Sequence, residues 1–337
     1  MRKFIFATIL LLGFIYIIGR IAEVQSIVET LRAGDWRFLG IALLLEFCWF
    51  FVVAATYRAI FQILDLKEKI IRLVLLSLAA NFVNIVAPTA GLGGVAVFIS
   101  ESKHSGNSTG RITVASVLYV LYDYAALLCV LTLGLIVLFR RNDLTMADLL
   151  ASLILLIMAI SLASLLYLGS RSVEKLGKTL AGMARLVNRI LWPFIHRSYL
   201  QEDRAFSFAH EVADGFEELK KAPHNLLSPA IFALLNKLLL ITILFTTFLA
   251  FDVPYSVGTI IAAFSIAYLF VIVSPTPSGI GIVEGVLTLT LRSFNLPLGA
   301  SAVVALAFRG ITFWLPLLFG FIAFRLLDKT KNDSLPA

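Results

Sequence analysis

The sequence predicts an all-α integral membrane protein with six full transmembrane helices and two re-entrant helical hairpins, arranged as an inverted repeat. Three observations predict it. First, 60% of the 337 residues are apolar and 15% charged, with a mean hydropathy of +0.94; soluble domains carry about 45–50% apolar residues. Second, apolar stretches near or above the ~20 residues needed to cross a bilayer recur along the chain. Third, two of these stretches are interrupted by nearly the same run: Ile85-Val86-Ala87-Pro88-Thr89-Ala90-Gly91-Leu92-Gly93 and Ile272-Val273-Ser274-Pro275-Thr276-Pro277-Ser278-Gly279-Ile280-Gly281. Proline and paired glycines break helices. In hydrocarbon, broken backbone is tolerated only where protein or a water-filled cavity covers it.

In chain order, Arg2-Lys3 precedes an apolar stretch at about 4–19. It resembles a signal peptide but lacks a small-residue cleavage motif, so it reads as a retained first span. Residues 20–37 are charge-balanced and suit an interface. Uninterrupted spans follow at about 38–63, 112–138, 149–169, 226–250 and 299–325, and the broken stretches occupy about 70–102 and 255–292. The segment 170–225 carries Val173, Leu176, Leu180, Met183, Val187 and Ile190 at helical spacing among Lys175, Lys178, Arg185 and Arg189. It reads as a cytoplasmic amphipathic helix, lying on anionic lipid or packed on the spans.

Charge placement decides whether the broken stretches cross. If both are hairpins and both termini are cytoplasmic, 19 of the 28 Lys and Arg fall in inside loops and 6 outside. A single crossing by the first would move the basic segment 170–225 outside, against the positive-inside bias. Two hairpins entering from opposite faces make one membrane domain of two inverted units, about 38–138 and 226–325. Discontinuous helices meeting near the midplane are a recurring plan of secondary transporters. The net charge of +7 is accounted for by the inner loops and implies no nucleic acid.

Charges inside spans are costly and point to function. Glu46 and Asp123 lie in the first unit, Lys237, Arg309 and Glu284 in the second. Asp123 follows Pro88 by 35 residues and Arg309 follows Pro275 by 34, so equivalent places carry opposite signs. Two readings stay open: the acids and bases neutralise each other, or Arg309 and Lys237 face a cavity and hold an anionic headgroup. Helix-break residues Pro88, Gly91, Gly93, Pro275, Gly279 and Gly281 would set half-helix N-termini whose N–H groups point at a ligand. Thr89, Thr276 and Ser278 would add hydroxyls, and Asn84 an amide. Cys48 and Cys129 fall in spans and the histidines lack ligand spacing, so no metal or cofactor is expected. No nucleophile–base pair suggests an enzyme.

The run from Pro275 to Gly285, then Leu296-Pro297, Phe308-Arg309 and Trp314-Leu315-Pro316 through Gly320, resembles the flippase-like transmembrane region of lysylphosphatidylglycerol synthases, and Pro88 to Gly94 resembles that family's first Pro/Gly segment. Of the family's Glu-Arg-x-x-Asp, this chain keeps the Asp, as Asp123. The resemblance implies a prokaryotic plasma- or inner-membrane protein that moves lipid between leaflets, with Pro275, Gly279, Gly281, Glu284, Arg309 and Trp314 as matched positions. Membrane lipids are the expected partners. With no synthase domain after Ala337, any aminoacylation falls to a separately encoded lipid-modifying enzyme. The alternatives are a secondary transporter of a small polar solute and a non-transporting scaffold for a lipid-modifying enzyme.

Overall fold

The computed structural model describes residues 29–87, 93–105, 108–195, 209 and 226–333. The expected first span at 4–19, the residues Pro88, Thr89 and Gly91, and the later part of the 170–225 segment apart from residue 209 lie outside the described residues. Among the described residues the structure is helical and contains no strand. In chain order the helices are α1 (Trp36–Ile63), α2 (Ile70–Val86), α3 (Gly93–Ser105), α4 (Thr109–Arg141), α5 (Met146–Arg171), α6 (Val173–Ile195), α7 (Leu227–Ala250), α8 (Val257–Val273), α9 (Ile282–Ser293), α10 (Leu298–Arg309) and α11 (Leu315–Asp333). A π-helical turn, Gly310–Trp314, joins the last two.

Five stretches are long and apolar enough to cross a membrane: Trp36–Ile63, Thr109–Arg141, Met146–Gly169, Leu227–Ala250 and Leu298–Asp328. Their ends follow from local chemistry. The Asp35 carboxylate accepts the Arg37 N–H at the start of α1. Thr145 and Asp148 form a reciprocal capping box on α5, and the Ser256 hydroxyl accepts the Thr259 N–H on α8. Such caps satisfy N–H groups that the helix cannot. Asn142 ends α4 in the left-handed conformation.

α1 and α7 form the central pair, with the most extensive packing in the molecule. They run antiparallel: the Asp35 N–H bonds to the Ala250 carbonyl at one end, and Trp49 Nε1 donates to Asn236 Oδ1 further along, at 3.1 Å. The segments 36–141 and 227–333 then follow the same order of long helix, short helix, break, short helix, long helix. α2 packs back against α3 and α8 against α9. Each short first helix also packs on the last long helix of the other segment, α2 on α11 and α8 on α4.

Both crossed contacts need a glycine. A methyl at Gly134 of α4 would sit 2.5 Å from Ser265 Oγ of α8, and one at Gly320 of α11 would sit 2.7 Å from the Leu78 carbonyl of α2. Small residues allow such backbone approach between membrane helices. Gly134 lies 11 residues after Asp123 and Gly320 lies 11 after Arg309, so the charged position and the packing position keep one spacing in both segments. α6 carries the expected basic residues: Lys178 pairs with Glu174 at 2.6 Å on its exposed face.

Candidate functional site

The second break is built first by exclusion of helix. Pro275 and Pro277 deny α8 its continuation, and the chain turns through a 3₁₀ turn at Pro277–Gly279. Ser278 takes φ 48°, Gly279 φ 72° and Gly281 φ 78°. A side chain at Gly279 would collide with Val283 and approach the Phe270 carbonyl at 3.1 Å. A left-handed serine costs energy and persists only where its surroundings hold it. The surroundings here are Arg309 and Glu284. Arg309 Nη2 donates to the Ser278 carbonyl at 3.0 Å, and Nε donates to Glu284 Oε1 at 2.9 Å. Glu284 Oε2 accepts the Gly281 N–H at 2.7 Å. The Arg309 guanidinium also lies over the Phe313 ring, 4.7 Å from its centroid, and the residue is buried. The π-helical turn begins at the next residue, a distortion that often marks functional sites.

The first break has a simpler tie. The Asn84 side-chain oxygen accepts the Gly94 N–H at 2.7 Å, securing the start of α3. The second half-helix begins directly after Gly281, at Ile282, and the first begins at Gly93, inside the glycine run and not after it. The Gly94 and Gly281 N–H groups, expected to face a ligand, are instead occupied by Asn84 and Glu284.

A cavity of about 120 Å³ lies between the two breaks. Ser77, Asn81 and Asn84 of α2 line it, with Ser274, Thr276 and Ser278 of the second break. Its walls are aromatic: Trp49 and Tyr57 of α1, Tyr119 and Tyr124 of α4, and Tyr268 of α8, with Asp123 among them. Tyr57 stacks between Tyr119 and Phe98 at 4.1 and 4.2 Å, which fixes those rings. Among the described residues, no lysine or arginine lines it.

Of the residues singled out by sequence, Asp123, Asn84, Thr276 and Ser278 meet at this cavity, whereas Arg309, Glu284, Lys237 and Glu46 do not line it. Lys237 stands directly behind the wall. It is fully buried, donates to Asp123 Oδ1 at 2.5 Å, and sits 4.1 Å from the centre of the Tyr268 ring. This pair joins α7 to α4 across the two segments, the neutralisation that opposite signs allowed; Arg309 pairs with Glu284 within its own segment. Glu46 is buried on α1, and neither carboxylate oxygen has a hydrogen-bond partner. The tyrosines and Trp49 were not singled out by sequence. The signal was present in Tyr119, Tyr122 and Tyr124 clustered around Asp123, since polar aromatic tips deep in a span need partners.

Comparison with known proteins places this geometry. A family model described as the lysylphosphatidylglycerol synthase TM region matches residues 4–320. The chain belongs to that family. A UPF0104 membrane protein of Methanocaldococcus jannaschii is 34% identical over 93 residues, which covers 26% of this chain and 28% of that protein's length. No solved structure matches the chain. As a member of that family the protein is a multi-pass membrane protein, and the matched span includes both breaks and, among the described residues, every one that lines the cavity.

Proposed function

We propose that the protein is a lipid translocase in which the headgroup passes through the cavity between the two breaks while the acyl chains stay in the bilayer. In this reading the chain crosses the membrane six times, counting the segment at 4–19. Its two hairpins enter from opposite faces, both termini are cytoplasmic, and α6 lies on the inner leaflet. The site is a prokaryotic cell membrane, and the chain carries out no bond chemistry.

One observation carries the proposal: a cavity at the junction of both segments, lined by tyrosines, Asp123 and hydroxyl and amide side chains and, among the described residues, by no lysine or arginine. That lining suits a cation. Aromatic faces attract an ammonium through their quadrupole, and Asp123 offers the opposite charge. The guanidinium of Arg309, the expected contact for an anionic headgroup, is bonded to Glu284 and the Ser278 carbonyl, and Arg309 does not line the cavity. The favoured substrates are lipids whose headgroup carries an ammonium, aminoacylated phospholipids included. The incoming ammonium would compete with Lys237 for Asp123. The satisfied pairs Arg309–Glu284 and Lys237–Asp123 favour the scaffold as the second reading.

The test is leaflet exchange in proteoliposomes carrying acyl-labelled lipids. Exchange above protein-free vesicles, faster for an ammonium headgroup than for phosphatidylglycerol, is expected. Asn81→Leu, which replaces a lining amide by a larger apolar group, should slow it. Background rates for every lipid tested would sink the translocase reading and leave the scaffold.

A further inference from the structure

Glu46 is a buried charge that the proposed pathway does not use, and its carboxylate oxygens have no hydrogen-bond partner. Its position is well defined. It lies 11 residues beyond Asp35 on α1, or about 16 Å along the helix at 1.5 Å per residue. That is near the middle of a hydrocarbon core about 30 Å thick. It faces no solvent, at 1% exposure, and both of its carboxylate oxygens lack a hydrogen-bond partner. One helical turn on, Trp49 lines the cavity and holds Asn236 of α7. Residues three apart share a helix face, so Glu46 sits on the same side of α1 as Trp49 in the cavity wall.

The charged and titratable groups on the elements packed against α1 have other commitments. On α7, Lys237 is bonded to Asp123 of α4. Across the π-helical turn, Arg309 is bonded to Glu284. On α2, Arg72 pairs with Glu68 and Glu101. The tyrosines Tyr119 and Tyr124 of α4, and Tyr268 beyond them on α8, belong to the cavity wall. None of these groups is hydrogen-bonded to Glu46.

An isolated ionised carboxylate in an apolar interior is so costly that it binds a proton instead. We propose that Glu46 is a proton-binding site at the α1–α7 seam that couples a transmembrane proton gradient to lipid movement. The coupling half of this proposal rests on the translocase reading; the proton-binding half does not. With the seam closed, Glu46 holds its proton. When the Trp49–Asn236 bond parts and cavity water reaches the seam, the O–H bond of Glu46 breaks. The proton passes to water, and the carboxylate left behind is solvated. On the opposite side of the cycle the carboxylate takes a proton from water, and closure follows. Proton occupancy is thereby linked to conformation, and by reciprocity a proton gradient biases the conformations.

Two measurements on the full chain in lipid vesicles test this. Infrared difference spectroscopy of wild type against Glu46→Gln should show a protonated carboxyl band at neutral pH that is lost in the variant. Glutamine is isosteric with the neutral acid, so the variant should fold; pH titration of the band in wild type alone gives the same answer if it does not. An ionised carboxylate signal would overturn the proton site. In the second measurement, an imposed pH gradient drives acyl-labelled phosphatidylethanolamine. One proton per lipid gives an asymmetry of about tenfold per pH unit, the equivalent of about 1.36 kcal/mol. Wild type should approach that asymmetry, and Glu46→Gln should exchange lipid to equal leaflets whatever the gradient. A variant that follows the gradient as wild type does would overturn the coupling. If wild type moves no lipid, the translocase reading fails and the infrared band still decides the proton site.

Discussion

Removing one partner of the Lys237–Asp123 pair should destabilise the protein, and removing both should restore stability without restoring transport. Lys237 is fully buried and the Asp123 side chain is 18% exposed, with 2.5 Å between Nζ and Oδ1. In Asp123→Asn the Lys237 ammonium loses its counter-charge and is left with a neutral amide oxygen and the Tyr268 ring, at 4.1 Å. Orphaning one member of a buried pair costs about 3–5 kcal/mol. The partial exposure of Asp123 to the cavity lets water reach the orphaned charge, so the lower end, about 3 kcal/mol, applies. For domains of 150–250 residues about 1 kcal/mol moves Tm by about 2–4 °C; for this longer chain the lower figure gives roughly 6 °C. Replacing both charges by neutral groups of similar size is commonly neutral or stabilising, so Asp123→Asn with Lys237→Met should return to within about 2 °C of wild type. The assay is thermal unfolding in detergent by tryptophan fluorescence, paired with leaflet exchange on the same samples. An unchanged Tm in the single variant would refute the buried pair. Full exchange in the double variant would show that the pair only holds α4 to α7 and takes no part in headgroup passage.

Two further outcomes follow from the tip and the packing. Arg309→Lys keeps the charge but cannot reach Glu284 and the Ser278 carbonyl with one planar fork; hydrogen exchange at Gly279 and Gly281 should rise while the helices keep their protection, and unchanged exchange would remove Arg309 as the holder of the strained tip. Gly320→Ala forces a methyl against the Leu78 carbonyl, and overpacking of this kind costs about 1–3 kcal/mol; a Tm equal to wild type would mean that α11 and α2 do not approach as closely as described.

Much of the architecture is legible in the residues. Apolar stretches of spanning length place α1, α4, α5, α7 and the α10–α11 unit to within a few residues at most ends, because a bilayer imposes length and composition on any helix that crosses it. The breaks are legible because proline removes an N–H and glycine tolerates positive φ; α9 begins just after its glycines, at Ile282, whereas α3 begins within its glycine run, at Gly93. The fate of the charges is less legible. Spacing from the prolines made Arg309 and Asp123 counterparts, yet one is stapled to Glu284 and the other is shared between Lys237 and the cavity. The difference turns on side-chain direction and on which helix packs opposite, and neither can be read from linear spacing. The tyrosine wall escaped notice for the same reason: Tyr57, Tyr119 and Tyr268 come from three helices, and each alone looks like an ordinary core aromatic.

By itself, then, the sequence determined that this chain lives in a membrane, that its helices break at two related places, and that charges, Glu46, Asp123, Lys237, Arg309 and Glu284 among them, lie inside its apolar stretches. These are local consequences of solvent and backbone chemistry. The tertiary structure decided which charges meet, that one N–H at each half-helix start is already bonded, that tyrosines from three helices and Asp123 meet at one cavity, and that Glu46 alone among these five lacks a hydrogen-bond partner. Those are properties of juxtaposition, fixed by the antiparallel α1–α7 pair and by glycines that let α2 and α8 close on the opposite segment.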